Sequence, residues 1–167
     1  NGYPEIHIKN TNLGKQKFSS VADLNAYSLF NTQGLIYDQK YVDSLRLNLS
    51  SDGTKILDFP NIYSEEKKIH NSISITSIDS LVSTLLSTDV FYCLNSGSHT
   101  LAAALKNSFG SPSKIVSFLP DSDIKNLKDW GYIYDNVEYK ITPSVKNLNP
   151  HLPLKMRAYK RTLDYLS

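Results

Sequence analysis

The sequence predicts a three-layer α/β fold, with a mainly parallel sheet, flanking helices and a C-terminal antiparallel hairpin. Residues 90–94 and 114–119 are almost continuously apolar, which is typical of strands buried on both faces of a parallel sheet. The stretch between them has helical periodicity, so the three segments together have the size of one strand–helix–strand unit. Asp135-Asn136 separates two tyrosine-rich segments and predicts a two-residue hairpin turn.

Length and composition favour a single α/β domain over residues 1–167. Eighteen Lys and Arg against sixteen Asp and Glu leave a net charge of +2, which does not favour a nucleic-acid-binding surface. No apolar run approaches the length of a membrane span. The single cysteine excludes an intrachain disulfide and a Cys-rich zinc site. We expect a monomeric domain, and because the chain begins at Asn1 we expect it to be excised from a larger protein.

The first sixty residues predict three strands and one helix. The helix begins with Ser20 and Asp23 in an arrangement similar to a capping box, and Val21, Leu24 and Tyr27 follow on one face. Alternation of polar and apolar residues predicts the strands. The predicted elements are strands at 3–8, 45–49 and 55–59 and a helix at 20–30.

The rest of the chain alternates helices with strands. Ile78, Leu81, Val82, Leu85 and Leu86 lie on one face of a helix, after a cap signal at Thr76 and Asp79. Gly110 is expected to end the following helix in the left-handed conformation. The predicted elements are an extended piece at 73–75, helices at 78–86, 99–109, 121–130 and 154–166, strands at 90–94 and 114–119, and hairpin strands at 131–134 and 137–141.

The turn at residues 95–98 is the first candidate site, because it joins a buried strand to a helix. The unpaired backbone N–H groups of such a helix start, here those of Gly97 and Ser98, can bind an anion or a reaction oxyanion. The alternative is an ordinary connection in which Ser98 caps the helix.

Cys93 is the candidate nucleophile of this turn. A helix N-terminus and a neighbouring histidine lower a thiol pKa, and His70 or His99 would be the base. The alternatives are a cysteine packed in the core and histidines on the surface. The spacing of the histidines contains no metal-binding motif and the glycines form no phosphate loop, so we expect no metal and no cofactor.

A secondary cleft is predicted around Asn95, Asp121 and Asp123. Both aspartates follow a buried strand, and the carboxyl ends of parallel strands are where such sheets bind ligands. Paired aspartates hold a divalent ion in some transferases, whereas aspartate in this position also commonly caps a helix. The two aspartates therefore predict either a transferase site or a purely structural role as helix caps.

Residues 90–123 resemble the caspase-like (clan CD) cysteine peptidases, near the CHAT domains and the self-cleaving protease domains of bacterial toxins. The resemblance is carried by Cys-Leu-Asn-Ser-Gly after an apolar strand, then Thr-Leu-Ala-Ala-Ala-Leu-Lys-Asn-Ser-Phe-Gly, then Lys-Ile-Val-Ser-Phe-Leu and an aspartate. It implies that Cys93 is the nucleophile, that His70 or His99 is the base, and that the backbone at Gly97 and Ser98 is the oxyanion donor.

The same resemblance implies a domain of a bacterial toxin or effector that hydrolyses a peptide or amide bond. Such a domain is secreted, or delivered to the cytosol of a target cell, and acts on a protein substrate. One alternative is a non-catalytic module that binds a host or immunity protein. The other is a transferase whose cleft lies near Asn95 and Asp121.

Overall fold

The computed structural model describes residues 17–25, 37–60, 71–120, 128–129 and 131–143. Within these residues the chain forms one parallel sheet of six strands and three helices. The strands are β1 (Phe18–Asp23), β2 (Lys55–Asp58), β3 (Ser72–Ser74), β4 (Thr88–Leu94), β5 (Lys114–Pro120) and β6 (Glu138–Thr142), and the helices are α1 (Gln39–Ser51), α2 (Ile78–Leu86) and α3 (Gly97–Phe109).

The order of the described strands across the sheet is β3-β2-β1-β4-β5-β6. The chain therefore adds strands to one side of β1 and then returns to add the others on its opposite side. All neighbouring pairs are parallel, so the α/β class and the parallel sheet are confirmed. The carboxyl ends of β1 and β4 lie side by side, with Asp23 opposite Cys93 in the register.

The antiparallel C-terminal hairpin is not observed. Residues 135–136 do form a turn, but residues 131–134 are not a strand, and β6 pairs with β5 in parallel. Tyr134 is buried in the apolar cluster that contains α3 residues, so the segment before the turn packs on that helix instead of pairing with β6. A turn signal in the sequence locates a reversal of the chain and does not determine whether the flanking segments pair.

Two predictions in the first half of the chain are wrong. Residues 18–23 form the central strand β1 instead of the start of a helix, and Ser20 bonds to the Thr54 hydroxyl at 2.8 Å instead of capping. Residues 45–49 lie within α1 instead of a strand. Val42 and Leu49 are buried in the same cluster whereas Leu47 is 66% exposed, which is a helical spacing.

Two apolar clusters contain most of the described core. Successive residues of a strand belong to different clusters, as Val21 and Ala22 do in β1, because successive side chains point in opposite directions. The first cluster includes residues of α2 and α3, and the second includes residues of α1.

Local sequence signals explain where α2 begins and where α3 ends. Ser77 caps α2, and its side chain and that of Ser80 form a reciprocal capping box, one residue later than predicted. Gly110 ends α3 at a φ of 74°, in the left-handed region that glycine adopts without a steric cost. The role of Gly110 at the C-terminal end of this helix was predicted from the sequence and is confirmed.

Candidate functional site at the carboxyl edge of β1 and β4

Asp23 is the charged side chain at the centre of this edge. It ends β1 and is only 4% exposed. Its Oδ2 accepts a hydrogen bond from Ser98 Oγ at 2.5 Å, and its Oδ1 accepts from the backbone N–H and the side-chain Nδ2 of Asn25 at 3.1 and 3.0 Å. Burial raises the pKa of the Asp23 carboxyl, and the three donors oppose that rise.

The hydrogen bonds extend from Asp23 to β2 and into the turn before α3. Asn25 Nδ2 also donates to the carbonyl of Leu57 at 3.2 Å. Ser96 Oγ and Ser98 Oγ lie 2.9 Å apart. The end of β1 is therefore joined by side chains to the turn and helix start that follow β4, and to a backbone carbonyl of β2.

A second set of hydrogen bonds joins the end of β4 to β5. The backbone N–H of Asn95 donates to Tyr37 Oη at 2.8 Å, and the Tyr37 hydroxyl donates to the carbonyl of Phe118 at 2.7 Å. Asn95 Nδ2 donates to the carbonyl of Tyr132 at 3.2 Å. Burial raises the pKa of Tyr37, so this hydroxyl stays protonated.

We call Asp23, Asn25, Tyr37, Asn95, Ser96 and Ser98 the carboxyl-edge network. Sequence analysis placed Asn95, Ser96 and Ser98 in the candidate turn and missed the other three as site residues. Asp23 was missed because it was placed in a helix cap, and Tyr37 because nothing in its local sequence marks it. Asp23 could have been located from its position at the end of a strand that lies beside the Asn95 turn. That position is known only once the strand order is known.

The start of α3 differs from the starts of the other two helices. Its N-cap is Ser96, in an extended conformation, and no side chain makes a capping hydrogen bond there. Asp38 caps α1 and Ser77 caps α2 through their side chains. The alternative in which Ser98 is the N-cap is wrong, because Ser98 is the second residue of the helix and its hydroxyl is directed to Asp23.

The backbone N–H groups at this helix start face no acceptor among the described residues. Neither Gly97 nor Ser98 donates a backbone hydrogen bond there, whereas the N–H of Thr100 bonds to the Ser96 carbonyl. Gly97 is exposed, and a β-carbon added to it would contact no atom within 4 Å. The helix start is thus open at Gly97 and oriented for an acceptor.

Cys93 lies one residue before the end of β4 and is fully buried in the first apolar cluster. Its thiol donates to the carbonyl of Val116 at 3.7 Å. Burial is the largest cause of a strongly raised thiol pKa, and the nearby Asp23 raises it further. A neutral, buried thiol is the environment of a packing residue, and it is the reverse of the electropositive surroundings that activate a cysteine.

His99, in the first turn of α3, is also fully buried. Its Nε2 lies 2.8 Å from Tyr139 Oη, and its ring centroid lies 5.0 Å from that of Tyr134. Tyr139 Oη accepts the backbone N–H of Tyr134, which leaves its own proton to donate to Nε2. Burial lowers the pKa of His99 to about 4, and its Nδ1 has no hydrogen-bond partner. His99 is therefore neutral at physiological pH.

Three of the residues proposed from the sequence lie outside the described part of the chain: His70, Asp121 and Asp123. They stay predictions. Within the described residues, no group of three His, Cys, Asp or Glu side chains is arranged to hold a metal ion. None of the described helices combines the length and the apolarity needed to cross a membrane.

Comparison of the chain with protein-family models, with curated proteins and with solved structures found no match.

Proposed function

We propose that the domain binds a small phosphorylated molecule at the carboxyl edge, between β1 and β4. The strand order is the observation that carries this proposal. In open parallel sheets, ligands bind in the crevice beyond the carboxyl ends of the strands, where the chain reverses the direction in which it adds strands. Here that point lies between β1 and β4. This proposal develops the transferase alternative, whose cleft was predicted beside Asn95. It covers only the binding of a ligand and not the transfer reaction.

A phosphate is the group that the start of α3 fits best. Gly97 is exposed, its N–H group makes no hydrogen bond within the described residues, and the helix dipole adds a partial positive charge there. The Ser96 hydroxyl beside it is already engaged, because Ser98 donates its own proton to Asp23 and Ser96 therefore donates to Ser98 Oγ. The N–H group of Gly97 is the donor left at this helix start for an acceptor oxygen of a phosphate.

Asp23 serves this edge through the hydrogen bonds that it accepts. Its oxygens are already occupied by donors from Ser98 and Asn25. Its role in the proposal is to hold Ser98, and through it the first turn of α3, against the end of β1. Asp23 is a positioning residue in this proposal.

The distribution of the apolar clusters supports a three-layer arrangement around the sheet. Residues of α2 and α3 contribute to one cluster and residues of α1 to the other, and successive strand residues alternate between the two. Such an arrangement covers both faces of the sheet and leaves the strand ends for ligands.

The test removes one N–H donor and leaves the helix intact. Proline is favoured at the first position of a helix, and Ser96 before it is already extended, with φ −141° and ψ −178°, in the β region to which a following proline restricts a residue. Gly97→Pro should weaken binding of inorganic pyrophosphate to the full chain by about 10-fold to 150-fold, the value of one hydrogen bond to a charged group. Isothermal titration calorimetry measures this.

Gly97→Ala is the matched control, because it adds a side chain in open space and keeps the N–H group. We expect it to bind pyrophosphate as the native chain does. Equal affinities for Gly97→Pro and Gly97→Ala, or no binding of pyrophosphate to the native chain, would contradict the proposal.

The second candidate is the caspase-like cysteine peptidase of a bacterial toxin or effector. What supports it is the position of Cys93 near the carboxyl end of a central parallel strand, directly before a turn and a helix. Its thiol, however, is directed into the apolar cluster and bonds to Val116. The reactivity of this thiol separates the two candidates.

A further inference from the structure

The α3 strap, our name for residues 131–137, lies along the first half of α3 and contains no helix or strand. Among the described residues, its backbone donates to a backbone carbonyl only at Gly131 and Val137. Side chains hold it instead, and they join Asn95 to the Tyr132 carbonyl, Thr100 to the Tyr134 hydroxyl, Asn136 to the Ala103 carbonyl, and Lys106 to the Asn136 carbonyl. A segment with few backbone hydrogen bonds is the kind that opens locally while the rest of a fold stays intact.

His99 packs against the strap and is fully buried, with its ring centroid 5.0 Å from that of Tyr134. Its Nε2 accepts the proton of Tyr139 Oη, which itself accepts the backbone N–H of Tyr134. Its Nδ1 is buried without a hydrogen-bond partner. The closed strap therefore suits the neutral imidazole, because an imidazolium would add a buried N–H donor that no described acceptor meets.

The titratable groups around His99 supply no negative charge that would stabilise an imidazolium. Burial raises the pKa of Cys93 in β4 and of Tyr139 in β6, so both stay neutral. Asp23 of β1 accepts a hydrogen bond from Ser98. The other described carboxylates of the strap and of the elements near α3 are exposed, and they are Asp79, Asp89, Asp135 and Glu138. The lysines of α3, β5 and β6, which add only positive charge, are Lys106, Lys114 and Lys140.

We propose that the α3 strap is an acid-sensitive switch: when His99 takes up a proton, the strap separates from α3 and admits water to the imidazolium. Tyr134 is the strap residue whose ring covers His99, so its departure hydrates the ring while β6 stays paired with β5. The same separation breaks the bond between Asn95 and the Tyr132 carbonyl, and so changes the carboxyl-edge network. The switch requires no phosphate ligand and goes beyond the proposed function.

The direction of the pH effect follows from the two environments of His99. Burial lowers its pKa to about 4 when the strap is closed, whereas a hydrated histidine has the ordinary value of 6.5. The open form therefore binds the proton more tightly, and opening becomes more frequent as the pH falls. Between pH 7 and pH 4.5 the ratio of open to closed strap should rise about 60-fold.

Native-state hydrogen exchange of the full chain, followed by NMR, measures this opening at the Tyr134 N–H, which is bonded to Tyr139 Oη. Its protection factor, taken against the intrinsic exchange rate at each pH, should fall about 60-fold between pH 7 and pH 4.5. At both pH values it should stay below the protection factor of the Phe91 N–H in the central strand β4, because the strap opens without global unfolding. In His99→Gln, which cannot titrate, we expect a change of less than about 2-fold.

Thr100→Val is the matched control, because it removes a hydroxyl that bonds to Tyr134 and keeps His99. It should lower the Tyr134 protection factor by about 2-fold to 12-fold at both pH values and leave the pH dependence unchanged. A Tyr134 protection factor in the native chain that is constant with pH, or equal to that of Phe91, would overturn the proposal even if His99→Gln fails to fold. An undiminished pH dependence in His99→Gln would overturn it as well.

Discussion

Ser98 and Asp23 are 75 residues apart in sequence, and a 2.5 Å hydrogen bond joins Ser98 Oγ to Asp23 Oδ2. The bond connects the first turn of α3 to the end of β1, and it is buried. Because α3 follows β4 after the turn at Asn95 and Ser96, the bond fixes the helix start that follows one strand against the end of the neighbouring strand. The geometry of the site therefore depends on this pair.

Ser98→Ala should lower the free energy of unfolding by about 1.5 to 3 kcal/mol at pH 7. The variant leaves Asp23 Oδ2 buried without its Ser98 donor, and the pKa of Asp23 rises further because a hydrogen bond that lowers it is lost. Urea unfolding measures the change. Ser108→Ala, at an exposed position of the same helix, should change the free energy of unfolding by less than about 0.5 kcal/mol. Similar losses for the two variants would show that the buried bond contributes no special stability.

Stability should fall as the pH is lowered, because of His99. Its folded pKa of about 4 lies below the value of 6.5 expected for the unfolded chain, so the unfolded state binds more protons between these values. The contribution of His99 is fully present above pH 6.5 and is lost as the pH falls to 4, and about 3 kcal/mol is lost in total. Urea unfolding at several pH values between 4 and 7.5 measures this slope.

The Asp23 carboxyl, whose folded pKa is raised, acts with the opposite sign in part of this range. The difference between the native chain and His99→Gln in the pH dependence of the free energy of unfolding therefore isolates the contribution of His99. We expect His99→Gln to have a shallower loss of stability below pH 6.5. A His99 pKa near 6.5 in a proton NMR titration of the folded chain, together with identical slopes, would contradict the prediction.

Cys93 should be unreactive in the folded chain. Its thiol is fully buried and its pKa is strongly raised, so the thiolate fraction at pH 8 is small. We expect iodoacetamide to modify it more than about a hundredfold more slowly than free cysteine. The unfolded chain in urea is the internal control, because there the same thiol should react as free cysteine does. Modification of the folded chain faster than free cysteine would instead support the cysteine-peptidase candidate.

The half of the chain around α3 could be predicted well from the sequence. The predicted strand at 90–94, helix at 99–109 and strand at 114–119 all lie within β4, α3 and β5. These elements are strongly patterned: continuous apolar runs for strands buried on both faces, and a helical apolar face ending at Gly110. Local pattern and tertiary environment agree there, so the prediction was reliable.

β1 and α1 show where local pattern misleads. Val21 and Leu24 have a spacing that a helix also uses, and only pairing with β2 on one side and β4 on the other makes residues 18–23 a strand. In α1, Leu45, Leu47 and Leu49 alternate as they would in a strand, but Leu47 is exposed and Val42 is buried with Leu49. Short apolar patterns fit both periods, and long-range packing decides between them.

The amino-acid sequence by itself determined the α/β class, the strand–helix–strand unit around Asn95, and the position of Gly110, because each depends on local periodicity or on the backbone preference of one residue. Tertiary structure decided that β6 is parallel to β5, that Asp23 and Tyr37 join Asn95 and Ser98 at one edge, and that Cys93 and His99 are buried. Those outcomes depend on strand order, which arises from pairing between distant segments and from the burial of both sheet faces at once.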